Sequence, residues 1–189
     1  MITMDAAHDR HARHGTLDPA SATAAVLIRQ ARRPDAAAID RLVTANVGLG
    51  QLLPRTQEEI TRHVARFLVA NRGESVLGCG ELAPLSDTLS EVRSLVVDAG
   101  SRGVGIGSAV LAALVSSAGR QGVQRLCAFT HVPRPFVTLG FSIVPHTWLP
   151  EKIMTNCQGC VWFRRCEQTA VVLELDWGRS GHTGTAGTI

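Results

Sequence analysis

A short apolar run that leads into a glycine-rich turn and then into a helix is the feature that most restricts how this chain can fold. The run Leu95–Asp98 is followed by glycines at positions 103, 105 and 107, with Arg102 beside them. Glycine lets the backbone approach a ligand closely. The first N–H groups of a helix lack internal partners and carry the positive end of its dipole. The segment therefore predicts a phosphate-sized anion site at the start of a helix.

The glycine spacing alone leaves a plainer interpretation open, in which the turn only caps the helix. Gly103, Gly105 and Gly107 do not match the dinucleotide-binding fingerprint, and no Gly-Lys-Ser/Thr sequence follows them, as a P-loop requires. The elements on either side of the turn therefore have to decide what it does.

Strands and helices alternate around this turn. Hydrophobic periodicity, with capping and turn residues at the element ends, places them along the chain. The predicted strands are Val26–Gln30, Phe67–Ala70, Ser75–Leu82, Ser90–Val97, Gln124–Thr130, Phe141–Val144 and Thr169–Leu175. The predicted helices follow Pro34, run from a capping box at Thr56 through Val64, span Gly105–Gly119, and cover Pro133–Leu139. Because the early strands cluster and a strand–helix–strand unit follows, we expect an α/β fold with a mixed sheet.

Two of these strands carry specific expectations. Phe67–Ala70 also fits the end of the preceding helix, but the turn residues Asn71–Glu74 that follow it favour a strand in a hairpin. Within Ser90–Val97, simple alternation places four side chains on one face of the sheet, namely Glu91, Arg93, Leu95 and Val97.

Composition limits the classes of function. With 189 residues, 45% of them hydrophobic, the chain suits one domain, which we place at residues 25–177 between a disordered leader, 1–24, and a flexible tail, 178–189. A net charge of +3, without a basic run interleaved with aromatic residues, argues against a nucleic-acid partner. The sequence has no apolar stretch long enough to span a membrane, and its five cysteines favour a reducing cytoplasm.

The context of the turn resembles the pyrophosphate-binding segment of the GNAT N-acetyltransferases. The resemblance is carried by Leu95-Val96-Val97-Asp98 with Arg102-Gly103-Val104-Gly105-Ile106-Gly107, and by Leu139-Gly140-Phe141 further along. It covers about residues 26–175 and implies the GNAT fold. In that fold the mixed central sheet is flanked by helices and splayed at a cofactor cleft, here between Ser90–Val97 and Gln124–Thr130.

The same resemblance implies that the cleft binds acetyl-CoA as cosubstrate. Pantetheine would bond to the backbone of the strand before the turn, and the pyrophosphate would lie on the turn itself. The residues that this implies are Leu95, Val96, Val97, Arg102, Gly103, Val104, Gly105, Ile106, Gly107, Ser108 and Phe136.

Further segments resemble the acetyltransferase domain of bacterial N-acetylglutamate synthases, in its short, stand-alone form. They are Ile28–Ala31, Leu52–Glu58, Gly78–Leu82, Glu91–Val97 and Leu149–Lys152. The resemblance implies that the acceptor is the α-amine of L-glutamate, in the first step of arginine biosynthesis. It does not extend to the kinase-like domain of the longer synthases, so regulation by arginine is not implied.

A glutamate acceptor requires cationic side chains, because it brings two carboxylates and one amine. The candidates are Arg29, Arg55, Arg93 and Lys152, and arginine holds a carboxylate with two parallel hydrogen bonds. Each of them could instead be a solvated surface charge. The alternatives are another acceptor, such as a polyamine, an aminoglycoside or a protein N-terminus, and a non-catalytic acetyl-CoA-binding domain. A cationic pocket disfavours the first two acceptors.

The transfer chemistry points to two further positions. Backbone N–H groups near Val97 can stabilise the charge that develops on the acyl oxygen. Glu91 can accept the proton of the amine, directly or through water, or else be a surface carboxylate paired with Arg93. The tyrosine that serves many GNAT enzymes as general acid is replaced by Phe136, and the chain has no tyrosine. His131, water or an unaided thiolate would take its place.

Three late cysteines are the remaining motif. Cys157, Cys160 and Cys166 could supply three ligands of a zinc site, but a structural site needs a fourth, and His146 and Cys127 are the available candidates. We therefore expect reduced thiols near the substrate pocket and no required metal. The expected partners are a small amino acid and acetyl-CoA, and the sequence leaves a homodimer open.

Overall fold

Seven strands form one sheet in the order β1-β2-β3-β4-β5-β7-β6. The computed structural model of the protein describes residues 25–47 and 52–175, so the predicted leader and tail lie outside the described residues. The strands are β1 Leu27–Gln30, β2 Phe67–Arg72, β3 Ser75–Pro84, β4 Leu89–Val97, β5 Arg125–Thr130, β6 Ser142–Val144 and β7 Thr169–Glu174. The mixed sheet expected from the sequence is confirmed, including the hairpin strand that begins at Phe67.

The helices connect these strands and cover both faces of the sheet. They are α1 Ala36–Val47, α2 Gln57–Arg62, α3 Ile106–Arg120, α4 Arg134–Thr138 and a last turn, α5 Pro150–Lys152, which continues as a π-helical segment, Ile153–Cys157. None of the helices in the described residues combines the length and the apolar character needed to cross a bilayer.

Helix α2 begins at the predicted cap and ends early. The hydroxyl of Thr56 accepts a hydrogen bond from the N–H of Glu59 at 3.1 Å, as an N-cap does. The carboxylate of Glu59 is engaged by Arg55 instead of returning to the cap. The helix ends at Arg62 and a 3-10 turn follows, Val64–Arg66, so the helix predicted through Val64 is too long.

Two apolar clusters lie on opposite faces of the sheet. On one face α3 packs through Val110, Leu111 and Leu114, all fully buried. On the other face α1 and α2 pack through side chains such as Ile39 and Ile60. Burial of a side chain of this size contributes about 1.5–3 kcal/mol. The sheet is therefore packed between helices on both faces.

The strands β4 and β5 part soon after they meet. They are the parallel pair of the sheet, and their pairing spans Leu89–Glu91 against Arg125–Cys127. Beyond Glu91 the edge of β4 that faces β5 is not part of this ladder. The splayed cleft expected between these two strands is present.

A β-bulge interrupts β4 directly after this point. Cys79 of β3 pairs with Val96, but Glu81 pairs with Arg93, so three steps along β4 lie opposite two steps along β3. Ser94 occupies the bulge with a φ of 51°, in the left-handed region that residues other than glycine rarely adopt. An extra residue of this kind bends and twists the strand.

The bulge overturns the simple alternation predicted for β4. Leu95 and Val97 pack against the same cluster as Val92, on the α3 face. The prediction put them with Glu91 and Arg93, which alternate with Val92 and therefore lie on the opposite face. Because the side-chain period of a strand is two, one inserted residue exchanges the faces of everything that follows.

The close approach of β3 to α3 gives a test of this packing. A Cβ built on Gly80 would lie 2.7 Å from Leu114 Cδ1 and 3.2 Å from Val110 Cγ1. We expect Gly80→Ala to lower the free energy of unfolding by about 1–3 kcal/mol, because overpacked cores are strained. Urea denaturation measures it. Gly159→Ala is the control, since a Cβ there meets no atom within 4 Å; equal stability of the two variants would contradict the packing.

Candidate functional site

A cavity of about 600 Å³ opens where β4 and β5 part. Its walls are the bulged half of β4, from Val92 to Val97, and the end of β5 with the segment that follows it, from Phe129 to Val132. The first turn of α3 closes one end of the cavity. The unpaired edge of β4 thus offers backbone N–H and C=O groups to whatever the cavity binds, and buried backbone groups need such partners.

The glycine turn, residues 98–107, is shaped to receive an anion. Gly103 and Gly105 have φ values of 81° and 87°, which glycine alone adopts without strain. A Cβ at either position would meet no atom within 4 Å, so a ligand can approach the backbone closely at both glycines. The first hydrogen bond within α3 runs from the N–H of Ala109 to the carbonyl of Gly105. The N–H groups of residues 106–108 therefore precede the helical ladder and border the cavity.

Arg102 adds a positive charge at this end of the cavity. Its Nε donates to the carbonyl oxygen of Val97 at 3.1 Å and its Nη2 donates to Oδ1 of Asn46 at 2.9 Å. Both partners are neutral oxygens, so they orient the guanidinium without cancelling its charge. Together with the dipole of α3, this favours phosphate groups at the turn.

Asn46 is a site residue that the sequence analysis missed. It is 4% exposed and donates to the carbonyl of Leu42 at 2.7 Å while it holds Arg102. A signal was present: Ile39, Leu42, Val43 and Asn46 share one helical stripe, and an amide at a core position of an amphipathic helix needs a polar partner.

The structure brings most of the predicted cofactor residues to the cavity. Those that line it are Leu95, Val96, Val97, Arg102, Gly103, Gly105, Ile106, Gly107, Ser108 and Phe136. Val104 lies in the same turn but is 72% exposed and does not line the cavity. Phe136 is buried and packs edge-to-face on Phe141, with ring centroids 5.3 Å apart.

Of the four predicted clamp residues, Arg93 lines the cavity. Arg55 does not line it, but its Nη1 donates a hydrogen bond to the hydroxyl of Ser94, a lining residue, at 3.3 Å. Both arginines belong to an arginine cluster, which we define as Arg55, Glu59, Glu81 and Arg93. Glu81, fully buried, accepts hydrogen bonds from Arg55 Nη1 and from Arg93 Nε, the latter at 2.8 Å. Glu59 accepts from Arg55 Nε at 3.1 Å and from Arg55 Nη2 at 2.6 Å. Two cations and two carboxylates therefore balance one another.

The ionisation states within the arginine cluster follow from this pairing. Burial lowers the pKa of Arg55, but the charge and hydrogen bond of Glu81 outweigh it, so the pKa lies above its usual value. Partial burial raises the pKa of Glu59, but the hydrogen bond from Arg55 outweighs it, so the pKa lies below its usual value. Both side chains are charged at neutral pH.

Arg29 is held away from the cavity. Its guanidinium binds both oxygens of Asp35 at 2.7 and 2.9 Å, and this hydrogen bonding holds the pKa of Asp35 below its usual value. β1 is separated from β4 by β2 and β3. Three interstrand spacings of about 4.8 Å put about 14 Å between the backbones of Arg29 and Val96. The structure does not join Arg29 to Arg55 in one clamp.

Glu91 and Lys152 are paired with each other. Lys152 Nζ lies 2.7 Å from Glu91 Oε1, and both side chains are almost fully buried. The other carboxylate oxygen, Oε2, is buried without a hydrogen-bond partner among the described residues. The alternative in which Glu91 is a surface carboxylate paired with Arg93 is wrong, because Arg93 pairs with Glu81. Neither Glu91 nor Lys152 lines the cavity, although Glu91 is the last β4 residue paired with β5.

The three late cysteines are partly buried free thiols in the described part of the chain. Within residues 25–47 and 52–175 no group of three or more His, Cys, Asp or Glu side chains is placed to hold a metal ion. His146, one proposed fourth ligand, contacts the carbonyl of Gln168 through Nε2 at 2.7 Å. Cys127, the other, is buried, and burial raises its pKa to about 12.

Comparisons with known proteins bear on this cavity. The model of the Acetyltransferase (GNAT) family matches residues 29–141, more than half of the chain. An uncharacterized N-acetyltransferase of Chlorobaculum tepidum is 31% identical over 148 residues, 78% of this chain and 96% of that protein. An amino-acid acetyltransferase of Mycobacterium tuberculosis is 32% identical over 124 residues, 64% of this chain and 71% of that protein.

Solved structures resemble the chain in fold and in sequence, and one of them contains bound ligands. It is N-acetylglutamate synthase from Neisseria gonorrhoeae, complexed with coenzyme A and N-acetyl-glutamate, with a TM-score of 0.71 and 25% identity. The match covers 80% of this chain and 35% of that chain, so it concerns about a third of the synthase.

The role of the glycine turn in binding can be tested by substituting one glycine at each end of α3. We expect Gly105→Val to abolish measurable acetyl-CoA binding in calorimetry, because a side chain would stand where a phosphate has to approach the backbone. Gly122→Val is the matched control: its φ is 73° and its surroundings are equally open, so it carries the same backbone strain far from the cavity. Similar melting temperatures with unchanged affinity in both variants would contradict the assignment.

Proposed function

The chain belongs to the GNAT family of acetyltransferases, and we propose that it transfers the acetyl group of acetyl-CoA to the α-amine of L-glutamate, the first step of arginine biosynthesis. Membership in the family and the similarity to named acetyltransferases make the chain an acetyl-CoA-dependent N-acetyltransferase. The acceptor, the pathway and the cytoplasmic location are the proposal.

The observation that carries the glutamate acceptor is the arginine cluster. Arg55 and Arg93 lie side by side at the cavity and share one fully buried carboxylate, Glu81. Their second counter-ion, Glu59, has a side chain that is 38% exposed. When Glu59 turns into solvent, the two guanidiniums and Glu81 leave one positive charge for a carboxylate of the substrate, which arginine binds through two parallel hydrogen bonds. The similarity to an amino-acid acetyltransferase and to a synthase solved with N-acetyl-glutamate supports the same acceptor.

The acceptor clamp proposed here is smaller than the one expected from the sequence. Asp35 neutralises Arg29 at the edge of the sheet, and Glu91 neutralises Lys152 in a buried pair. Neither cation has a charge to spare for a substrate. We therefore assign the clamp to Arg55 and Arg93 alone.

Acetyl-CoA supplies an activated thioester, and the cavity has the groups to hold it. The N–H groups of residues 106–108 and the charge of Arg102 face the end where a pyrophosphate fits. The free edge of β4 runs from there to the arginine cluster, and we propose that its N–H groups near Val97 donate to the negative charge that develops on the acyl oxygen. Phe136 forms an apolar wall beside that edge.

Proton transfer is proposed to involve Glu91 and His131. The ammonium group of an amino acid has to lose a proton before it attacks. Glu91 does not line the cavity, but it is the last β4 residue paired with β5 and its Oε2 has no partner among the described residues. We propose that it takes that proton through a water molecule. His131 lines the cavity on the opposite wall and can protonate the leaving thiolate in the absence of a tyrosine.

An acceptor panel tests the proposed function. With acetyl-CoA saturating, we expect L-glutamate to release thiol faster than L-lysine, spermidine or kanamycin. Spermidine and kanamycin have no carboxylate for the arginine cluster, and L-lysine has a single carboxylate and brings an additional positive charge near Arg55 and Arg93. Thiol release followed at 412 nm after reaction with a disulfide reagent measures this. Faster turnover of any of the three cationic amines would exclude glutamate as the preferred acceptor.

A charge-conserving variant tests the clamp. Arg93→Lys keeps the counter-ion of Glu81 but loses the planar pair of donors. We expect the KM for glutamate to rise by about tenfold or more, with the KM for acetyl-CoA changed by less than about twofold. Arg29→Lys is the matched control, since Arg29 also binds a carboxylate through two nitrogens but lies away from the cavity. If both variants change the glutamate KM equally, the carboxylates are held elsewhere.

A further inference from the structure

Within the arginine cluster, the two carboxylates are held in very different ways. Glu81 is 0% exposed, lies in the central strand β3 and contacts both arginines. The side chain of Glu59 is 38% exposed and lies on α2, a helix of six residues. Removal of Glu81 from its partners would leave a charge buried, whereas Glu59 can turn into solvent by rotating its side chain. One counter-ion is therefore permanent and the other is displaceable.

Glu59 occupies the edge of Arg55 that a foreign carboxylate would use. A single oxygen, Oε1, accepts from both Nε and Nη2 of Arg55 and lies 4.0 Å from Nη2 of Arg93. Nε and Nη2 form the side of a guanidinium that binds carboxylates with two parallel hydrogen bonds. The third nitrogen of Arg55 is engaged by Glu81 and by the hydroxyl of Ser94, which lines the cavity.

We propose that Glu59 is an internal competitor for the acceptor carboxylate: it fills the anion site of Arg55 and Arg93 when no acceptor is bound, and an acceptor binds by displacing it. This inference rests on the proposed function, because it names the atoms that select a carboxylate-bearing amine. With Glu59 turned away, the cluster holds two guanidiniums and one carboxylate and accepts one further negative charge. An amine without a carboxylate cannot replace Glu59, so the arginines remain paired with Glu59 and Glu81 and do not bind it.

The displaceable residue is charged under the conditions in which the enzyme works. The hydrogen bond from Arg55 keeps the pKa of Glu59 below its usual value despite partial burial. The competition is therefore between two anions, the carboxylate of Glu59 and that of the acceptor. Salt weakens the binding of both to the arginines. Substitution by glutamine keeps the size of the side chain and removes the charge, so it isolates the competition.

The test uses glutarate, which has the two carboxylates of glutamate but no amine to be acetylated. Isothermal titration calorimetry of the full chain at fixed ionic strength gives the dissociation constant. If Glu59 fills the site about nine-tenths of the time, Glu59→Gln should tighten glutarate binding about tenfold. Glu58→Gln is the matched control: Glu58 precedes Glu59 on α2, is 81% exposed and pairs with Arg62. It should change the constant by less than about twofold.

A second variant covers the case in which Glu59→Gln does not fold. Glu59→Asp keeps the charge but shortens the reach to Arg55 by one methylene, and it should tighten glutarate binding by a smaller factor. Unchanged or weaker binding in the folded variants would show that Glu59 organises Arg55 instead of competing at it, and would overturn the proposal. Glutarate binding needs no turnover, so it can be measured even if glutamate proves not to be the substrate. Likewise, the acceptor panel can be read even if Glu59→Gln does not tighten glutarate binding.

Discussion

The parting of β4 from β5 after Glu91 is the constraint on which the site depends. Two parallel strands share a ladder for three residues, and the bulge at Ser94 then turns β4 away. From that point the edge of β4 has backbone donors and acceptors that no neighbouring strand takes up in the described ladder. A sheet normally closes such an edge, and an unpaired one is a template for an extended ligand. Here the first turn of α3 and Phe136 border the open edge, which makes it part of a cavity.

Electrostatics divide that cavity into two unlike ends. At the glycine turn the cation Arg102 is held by neutral oxygens and adds to the positive end of the helix dipole. At the other end Arg55 and Arg93 are matched by Glu59 and Glu81. The end at the glycine turn therefore carries a net positive charge that favours phosphates. The end at the arginine cluster is neutral as long as Glu59 stays paired with Arg55.

The sequence predicted the strands, the main helices and the glycine turn, because each is encoded by neighbouring residues. Alternation and turn residues marked β2 and β3, and the run of glycines after Val97 marked the start of α3. The bulge was not predictable. Ser94 has a left-handed backbone conformation, and serine has no preference for that conformation that would mark the position in the sequence. That single residue reversed the predicted faces of Leu95 and Val97.

The partners of the charged side chains could not be predicted from the sequence, for a related reason. Arg29, Arg55, Arg93 and Lys152 were all visible as cations, but their partners are set by tertiary packing. Lys152 follows β6 in the chain, yet it reaches Glu91 in β4, and Arg55 lies before α2 and reaches Glu81 in β3. Local periodicity carries no information about such pairs, so only the assembled strands showed that Arg29 and Lys152 are paired with Asp35 and Glu91.

The burial of Glu81 also limits how this enzyme can evolve. Loss of both arginines would leave the fully buried carboxylate without a counter-ion, at a cost of about 3–5 kcal/mol, a large part of the 5–15 kcal/mol that typically stabilises a domain. Arg55 and Arg93 therefore cannot both be replaced by neutral residues without endangering the fold. Exchange of Glu81 for an apolar side chain would have to accompany that replacement. With the clamp proposed above, the residues that select the acceptor would change together, because the stability of the fold depends on the same side chains.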